Sequence, residues 1–253
     1  MPNDPYSPIA HYYALEQSEQ NDDLPFFLEL ARETGGPVLD LGAGDARIAA
    51  SLAMAGYAVT ALDSSAAMLA LAKARIPQPL SDRVTLLHGD MQSFRTTDAF
   101  GLAVCATGTF AHITDTEGQL KALRAVKRCL KPGGLLALVL QNPYQLVVDP
   151  PAGELVVQWR GIDPATGATV TKLVTNEAEL AEQLLHAIVA YDVVTGDGTL
   201  RRYETEFPLR WTYQPELDLL LRRAGFTPHA YYGDYDMSSY ESHSPLLIAV
   251  TQI

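Results

Sequence analysis

Several features are scarce in this chain of 253 residues, and each scarcity excludes a class of protein. There are only two cysteines, Cys105 and Cys129, which are too few for a disulfide framework or a cysteine-rich metal cluster. No cluster of basic residues is longer than Arg222-Arg223, and 30 acidic residues against 18 basic ones give a formal net charge of -12. We expect no nucleic-acid partner, because binding to a phosphate backbone needs a basic surface.

Long apolar runs are also missing. The runs at 38–41, 135–140 and 246–250 are far shorter than the ~20 residues that a membrane-spanning helix needs. Residues 1–10 have neither the basic start nor the apolar stretch of an export signal. We therefore expect a cytoplasmic protein with no membrane partner. Its 47% of hydrophobic residues suffice for a sizeable core.

Residues 36–141 alternate short aliphatic or β-branched runs with longer amphipathic runs, a pattern typical of a parallel sheet with helices on both faces. The predicted strands are Pro37–Leu41, Ala58–Asp63, Val84–His88, Leu102–Ala106 and Leu135–Gln141. Helices are predicted near 45–56, 65–75 and 116–130. The turn Lys131-Pro132-Gly133-Gly134 is expected to end the last helix and start the fifth strand.

The regions on either side of 36–141 have different sequence patterns. Residues 9–34 predict one or two helices, with Asn21-Asp22-Asp23 marking a break and a cap. Turn sequences at 163–167 and 195–198 predict an antiparallel meander over 153–210. Within it, 181–194 has both helix and strand features, and we interpret it as strand because a hairpin turn follows. A helix at 215–224 and strands at 226–232 and 246–252 complete the chain.

The predicted fold is α/β: one doubly wound, Rossmann-like domain with a mainly parallel seven-stranded sheet and an antiparallel β insertion after the fifth strand. Its predicted parts are an N-terminal helical cap (1–34), a core (35–142), the insertion (143–213), and the last helix and two strands (214–253). A few strands without helices cannot form a core alone. We therefore expect the insertion to act as a lid or as the surface of a homodimer.

The first predicted strand runs into a glycine turn, Asp40-Leu41-Gly42-Ala43-Gly44-Asp45-Ala46-Arg47, where the backbone can approach a ligand. An ordinary tight turn between strand and helix is one interpretation. A dinucleotide site would need a small residue where Arg47 stands, so the sequence does not favour a nicotinamide cofactor. Asp40 would repel a pyrophosphate but could accept hydrogen bonds, directly or through water, from a cationic amine.

On this acid and glycine pattern the sequence resembles the class I S-adenosylmethionine-dependent methyltransferases, whose first motif is an acid followed by G-x-G-x-G. Ala46 replaces the last glycine, which is a mild departure. The resemblance covers about 36–142 and, more loosely, the final strands. It implies S-adenosyl-L-methionine as the cofactor, with the first contacts at Asp40, Gly42, Ala43 and Gly44.

Acidic residues also stand at the end of the second predicted strand and just after the third. Asp63 could accept hydrogen bonds from both ribose hydroxyls, although an acid there also suits NAD, and the serines beside it could simply cap a helix. The resemblance implies that Asp90 and Met91 contact the adenine, the alternative being a surface turn. The predicted cofactor contacts from this region are Asp63, Ser64, Met68, Gly89, Asp90 and Met91.

After the fourth strand, the resemblance implies that Ala106, Thr107 and Gly108 pass beside the methionine part of the cofactor. His112 could be a general base, because its ordinary pKa of ~6.5 suits proton removal near neutrality, or a hydrogen-bonded structural residue. In the segment Tyr6-Ser7-Pro8-Ile9-Ala10-His11-Tyr12-Tyr13, we favour Tyr12 or Tyr13 for a contact to the methionine part. Ordinary helix packing of this aromatic pair is the alternative.

The acceptor pocket is predicted from aromatic and charged residues near the insertion and the last strands. Arg210 could hold an anionic group, and tyrosines could form a wall, unless these side chains are only a solvated rim. The predicted acceptor contacts are Phe110, Arg210, Tyr213 and Tyr232.

Methyl transfer from a sulfonium is an in-line displacement that depends on alignment and needs no metal. The six histidines show no close ligand spacing, so we predict no metal site. The leading hypothesis is methyl transfer to O or N of a small-molecule acceptor. The alternatives are a non-catalytic partner or sensor that binds S-adenosylmethionine, since no catalytic base is unmistakable, and a nicotinamide oxidoreductase.

Overall fold

A computed structural model describes residues 4–144 and 152–253, and the predicted α/β fold is confirmed. Eleven strands lie within the described residues: β1 (Val38–Leu41), β2 (Val59–Asp63), β3 (Val84–His88), β4 (Phe100–Cys105), β5 (Leu130–Gln141), β6 (Ala152–Ile162), β7 (Thr169–Glu179), β8 (Leu184–Val194), β9 (Leu200–Arg210), β10 (Thr227–Tyr232) and β11 (Leu246–Gln252). The α-helices there are α1 (Ala10–Gln17), α2 (Leu24–Thr34), α3 (Arg47–Met54), α4 (Ala66–Arg75), α5 (Thr116–Cys129) and α6 (Gln214–Ala224). Short 3-10 helices cover Gln78–Leu80 and Thr109–His112.

The main sheet has seven strands in the order β10-β11-β5-β4-β1-β2-β3. Strands β1 to β5 are parallel to one another, whereas β11 is antiparallel to both of its neighbours, β5 and β10. The central strands β1, β2 and β4 are buried along their whole length, as their continuous apolar runs predict. The strand order reverses between β1 and β4, so a crevice opens at the carboxyl ends of these strands, where open α/β sheets bind ligands.

Helices cover both faces of this sheet. On one face α5 and α6 bury apolar side chains such as Leu123 and Leu217, and on the other α2 and α3 bury Phe27, Ala31 and Leu52. Helix α5 ends next to Leu130, and the chain enters the sheet there rather than at Leu135 as predicted. Leu130 pairs with Phe100 and Leu135 with Leu102, so the residues between form a bulge that lengthens β5.

The insertion forms a separate antiparallel sheet in the order β6-β7-β8-β9. Its strand β8 begins after a turn in which Gln183 has a left-handed φ of 57°, a turn with no glycine or proline to signal it. One face of the sheet packs on α1 through a cluster that includes Ile9, Tyr191 and Phe207. The Tyr191 hydroxyl donates a 2.6 Å hydrogen bond to Glu16 on α1, so helix and insertion are joined by polar as well as apolar contacts.

Both cysteines are buried free thiols. Across residues 4–144 and 152–253, none of the helices has the length and apolar character needed to cross a membrane.

Candidate active site

A cleft with a cavity volume of about 460 Å³ lies at the carboxyl ends of β1, β2 and β4. The glycine turn after β1 and the loops after β2, β3 and β4 form its floor, and the exposed residues Pro5, Glu206 and Pro208 lie at its mouth. The site is therefore built partly by the core sheet and partly by the N-terminal segment and the insertion.

The glycine turn approaches the cleft with its backbone. Gly42 has a φ of 65°, and a methyl group at this position would overlap the side chain of Thr109. The Gly44 N–H donates a 2.7 Å hydrogen bond to Asp63, which fixes the turn against β2. Ala46 precedes α3 with a φ of 61°, a left-handed conformation that the usual glycine would adopt without strain.

Two acidic side chains from adjacent strands lie beneath this turn. Asp40 is only 2% exposed, and its Oδ2 has no hydrogen-bond partner among the described residues. Burial, with the charge of Asp63 adding to it, raises the pKa of Asp40 to about 7. Burial also raises the pKa of Asp63, although this carboxylate accepts hydrogen bonds from the N–H groups of Gly44 and Ser65, both at 2.7 Å.

The cleft is strongly acidic. Its basic lining residue Arg47 donates hydrogen bonds of 2.7 and 2.5 Å to Asp23, so its charge is balanced within the fold. The segment Asn21-Asp22-Asp23 is predicted to cap α2, and Asp23 does precede this helix, but its side chain makes no capping bond there and binds Arg47 instead. The acidic residues that line the cleft are Asp4, Asp40, Asp45, Asp63, Asp90 and Glu206.

An aromatic group closes the other end of the cleft. The Tyr6 hydroxyl oxygen lies 3.1 Å from His112 Nε2, and the Phe207 ring lies 5.0 Å from that of Tyr6 and 5.1 Å from that of His112. Burial lowers the pKa of His112 to about 4 and raises the pKa of Tyr6. Both side chains are thus neutral near pH 7 and joined by one hydrogen bond.

Most of the residues predicted to bind the cofactor line this one cleft, and so does His112. They are Tyr13, Asp40, Gly42, Ala43, Gly44, Asp63, Ser64, Met68, Gly89, Asp90, Met91, Ala106 and Thr107. Ser65 caps α4 by accepting a 3.1 Å hydrogen bond from the Met68 N–H, which leaves Ser64 exposed beside the cleft.

The structure places the other predicted residues outside the cleft lining. Tyr12 packs on Tyr203 of the insertion, with 5.0 Å between ring centroids, and Gly108 begins the short helix Thr109–His112. Phe110 is buried in the core under β4 and β5. Their positions follow from packing against distant elements, which residue type alone does not reveal.

The predicted acceptor residues near the chain's second half also lie away from the lining. Arg210 is buried and donates a 2.6 Å hydrogen bond to Glu216, so its charge is already paired. Tyr213 precedes the first turn of α6, and Tyr232 packs edge-on against Phe26.

Comparison with known proteins finds a matching domain family and similar proteins. Residues 38–134 match the family model described as "Methyltransferase domain". Over 219 residues, 86% of this chain and 83% of the relative, the chain is 27% identical to the Cypemycin N-terminal methyltransferase of Streptomyces sp. Residues 38–134 therefore carry a methyltransferase domain, and the chain is similar over most of its length to a known methyltransferase.

Solved structures share the fold of this methyltransferase. An S-adenosylmethionine-dependent methyltransferase from Clostridium acetobutylicum superposes with a TM-score of 0.81 at 18% identity, covering 98% of both chains. CalS10, an amino pentose methyltransferase from Micromonospora echinaspora, superposes with a TM-score of 0.72 at 19% identity, covering 96% of this chain and 95% of its own.

The cleft of the methyltransferase fits S-adenosylmethionine on observations of its own. A buried carboxylate oxygen of Asp40 without a partner among the described residues suits a cationic amine, and the glycine turn lines the same cleft. Among the described residues, no cluster of three or more His, Cys, Asp or Glu side chains has the arrangement of a metal site.

Several lining residues escaped prediction. Tyr6 and Asp4 precede α1, and Asp4 accepts a 2.8 Å hydrogen bond from the Ser65 hydroxyl, which ties the N-terminal segment to the loop after β2. Tyr6 stands within the segment that resembles the family, so its aromatic character was the available signal. Glu206 and Phe207 had no signal, because they reach the cleft only through the packing of β9 over Thr109–His112.

Proposed function

We propose that this methyltransferase transfers the methyl group to an amine nitrogen of its acceptor. The observation that carries the proposal is the neutral pair Tyr6 and His112 at the inner end of an acidic cleft. An amine loses its proton to water readily enough to attack without a strong base, whereas an aliphatic hydroxyl needs one. A histidine with a pKa of about 4 is a weak base at neutral pH.

The carboxylates and the glycine turn form the part of the cleft that we propose binds the cofactor. In the proposal Asp40 holds the amino group of the methionine part, Asp63 accepts from the ribose hydroxyls, and Asp90 with Met91 and Met68 surrounds the adenine. S-adenosylmethionine supplies a methyl group on a positively charged sulfur. Tyr13 lies near Asp63 and Asp45, and burial raises its pKa, so it can act only as a neutral donor or a packing surface.

We propose that the other part of the cleft promotes methyl transfer by positioning the acceptor. The hydrogen bond between Tyr6 and His112 fixes both side chains, and Phe207 excludes water from the inner end of the cleft. The acidic lining favours a cationic acceptor on encounter, and the acceptor's own neutral fraction then reacts.

The relatives' names support nitrogen as the target. One is an N-terminal methyltransferase, and another acts on an amino pentose. Their acceptors differ in size, so the names support the type of atom more than a particular molecule.

A panel of matched acceptors tests the proposal. Purified protein with S-adenosylmethionine is incubated with primary amines, phenols and aliphatic alcohols, and S-adenosylhomocysteine is measured together with the product mass. We expect turnover with amines and at least tenfold less with the alcohols. Faster transfer to alcohols would overturn the choice of nitrogen. Tight cofactor binding without turnover on any acceptor would favour the sensor hypothesis.

The insertion is proposed to serve both as a lid and as a dimer surface. Its strand β9 lines the cleft mouth, and its opposite edge strand β6 exposes Leu155, Val156 and Val157 at 63%, 51% and 61%. An exposed apolar edge strand invites pairing with an identical strand. Light scattering should give a dimer mass that Val156→Lys converts to a monomer, and a monomer at all wild-type concentrations would remove this proposal.

A further inference from the structure

Strand β9 is an edge strand whose outer side carries backbone groups at the cleft mouth. Within the part of the chain that the structure describes, it pairs with β8 alone, residue by residue, in an unbroken antiparallel register. Just beyond its two ends, the Trp211 N–H donates to Gln183 at 3.2 Å and the Thr195 N–H donates to Thr199 at 3.0 Å. These two bonds fix which residues of β9 face β8 in the ladder.

The alternation of an antiparallel ladder then determines the outward groups. Residues an even number of places from Trp211, such as Phe207, direct their N–H and C=O groups toward β8. Glu206 and Pro208 occupy the alternate positions, so their backbone groups point away from the sheet. Pro208 agrees with this assignment, because proline is tolerated in an edge strand where its missing N–H would face outward.

This outward edge of β9 lies at the mouth of the cleft, through which an acceptor must enter. Glu206, Phe207 and Pro208 all line the cleft, and the Phe207 ring contacts Tyr6 and His112 at its inner end. Within residues 4–144 and 152–253, no hydrogen bond engages the N–H or C=O of Glu206. The edge therefore offers one N–H and successive C=O groups, which are the groups that an added strand binds.

The negative charges of the cleft determine which end of an extended peptide would enter it. The side chain of Glu206 is exposed at the mouth, and the interior is acidic, with Arg47 already paired to Asp23. A carboxyl terminus would be repelled, whereas a free amino terminus would be attracted.

We propose that the edge of β9 binds a peptide acceptor in extended conformation, with the α-amine of the peptide directed into the cleft toward Tyr6 and His112. This inference rests on the proposed N-methylation. In the transfer, the neutral α-amine forms a new N–C bond as the S–C bond of the sulfonium breaks. The product nitrogen then releases its extra proton to water, and S-adenosylhomocysteine remains.

Two acceptors with the same α-amine separate edge binding from amine recognition. Alaninamide offers the amine and one carboxamide, whereas trialanine amide adds two peptide groups that can pair with β9. We expect kcat/KM for trialanine amide to exceed that for alaninamide by about tenfold, the effect of one or two net backbone hydrogen bonds. Titration calorimetry on protein saturated with S-adenosylhomocysteine should show the same preference in Kd.

A pair of variants tests the backbone itself. Glu206→Pro removes the outward N–H while keeping the ladder to β8, and Glu206→Gln keeps that N–H while removing the same charge. With trialanine amide, kcat/KM and affinity should be about fivefold lower in Glu206→Pro than in Glu206→Gln. With alaninamide the two variants should be equal, and their melting curves should show that both are folded.

The outcomes distinguish this inference from the proposed function. Equal use of both acceptors, or equal effects of the two variants on trialanine amide, would overturn peptide binding at β9 while leaving N-methylation intact. Selective binding of trialanine amide without any methylated product would support the edge site and overturn the proposed reaction.

Discussion

The two halves of the cleft are built in opposite ways. The half proposed to bind the cofactor comes from β1, β2, β3 and their loops, within residues 40–91, and its polar contacts join neighbouring strands and loops. The half proposed to bind the acceptor joins Tyr6, His112 and Phe207, of which Tyr6 and His112 are 106 residues apart. A local motif can therefore specify the first half, whereas only the packing of the insertion and the N-terminal segment specifies the second.

The halves also differ in electrostatics. Buried carboxylates dominate the cofactor half, and burial raises the pKa of both Asp40 and Asp63. The acceptor half is aromatic and neutral near pH 7. Substitutions in the first half should therefore act on cofactor affinity and its pH dependence, and those in the second on turnover.

The largest effect is expected from Asp63→Asn. The variant weakens two charge-assisted hydrogen bonds, from Gly44 and Ser65, and replaces the carboxylate proposed to bind the ribose. Bonds to charged groups contribute about 1.5–3 kcal/mol each, so we expect S-adenosylhomocysteine to bind about 10- to 100-fold more weakly by calorimetry. Asp82→Asn, at an exposed site, is the control. Unchanged affinity for S-adenosylhomocysteine in Asp63→Asn would contradict the assignment of this side of the cleft to the cofactor.

Asp40 should couple stability and cofactor affinity to pH. Its folded-state pKa of about 7 lies above the value of ~3.9 of an unfolded aspartate. Between these values the folded state binds more protons, so stability falls as pH rises from about 4 to 7 and is level above that. Ligand-free Asp40→Asn should therefore melt above wild type at pH 8, and the difference should narrow as the pH falls toward about 4.

Ionisation of Asp40 should strengthen cofactor binding, although it lowers the stability of the ligand-free protein. Because a cationic amine favours the charged carboxylate, wild-type affinity for S-adenosylhomocysteine should fall below pH 7, by up to about tenfold per pH unit. Asp40→Asn should bind weakly with little pH dependence over this range. A stabilised variant that still binds as tightly as wild type would show that Asp40 does not hold the cofactor.

A smaller effect is expected at the acceptor end. Tyr6→Phe and His112→Asn each remove one neutral hydrogen bond, which contributes about 0.5–1.5 kcal/mol, so each should lower kcat by about 2- to 10-fold. The double variant should lose little more than either single one, because both act through the same bond. A loss above about 100-fold in His112→Asn alone, with a changed pH profile, would instead indicate a general base.

The smallest effect is expected from Ala46→Gly. A left-handed alanine costs about 1–2 kcal/mol, but glycine also loses a buried methyl group and adds flexibility to the unfolded chain, which together cost about as much. The unfolding free energy measured in urea should change by less than about 1 kcal/mol. A larger stabilisation would mean that the turn is strained in the wild type.

The sequence was sufficient for the features that depend on local patterns. Because β1, β2 and β4 are buried on both faces, they have largely apolar sequences, and the acids Asp40 and Asp63 stand out near the ends of β1 and β2. Both the sheet and these two acids could therefore be found from the sequence. Residues that are placed by long-range contacts could not be found from the sequence. Arg210 looked free for an anionic ligand, but its partner Glu216 is set by the way α6 meets β9.

The same reason explains the residues at the cleft mouth. Glu206 lies in an ordinary charged edge strand, and nothing around it in sequence indicates a cleft. Tyr12 and Tyr13 are adjacent, and only the packing of α1 on the insertion decides that Tyr13 turns toward the cleft and Tyr12 toward Tyr203.

A crystal structure with S-adenosylhomocysteine would test the division of the cleft most directly. It should show the ribose at Asp63, the amino group at Asp40, and the sulfur directed toward Tyr6 and His112, with open space beside Phe207 for an amine. A nucleoside seated between Phe207 and His112, with its amino acid part away from Asp40, would contradict the assignment of both halves.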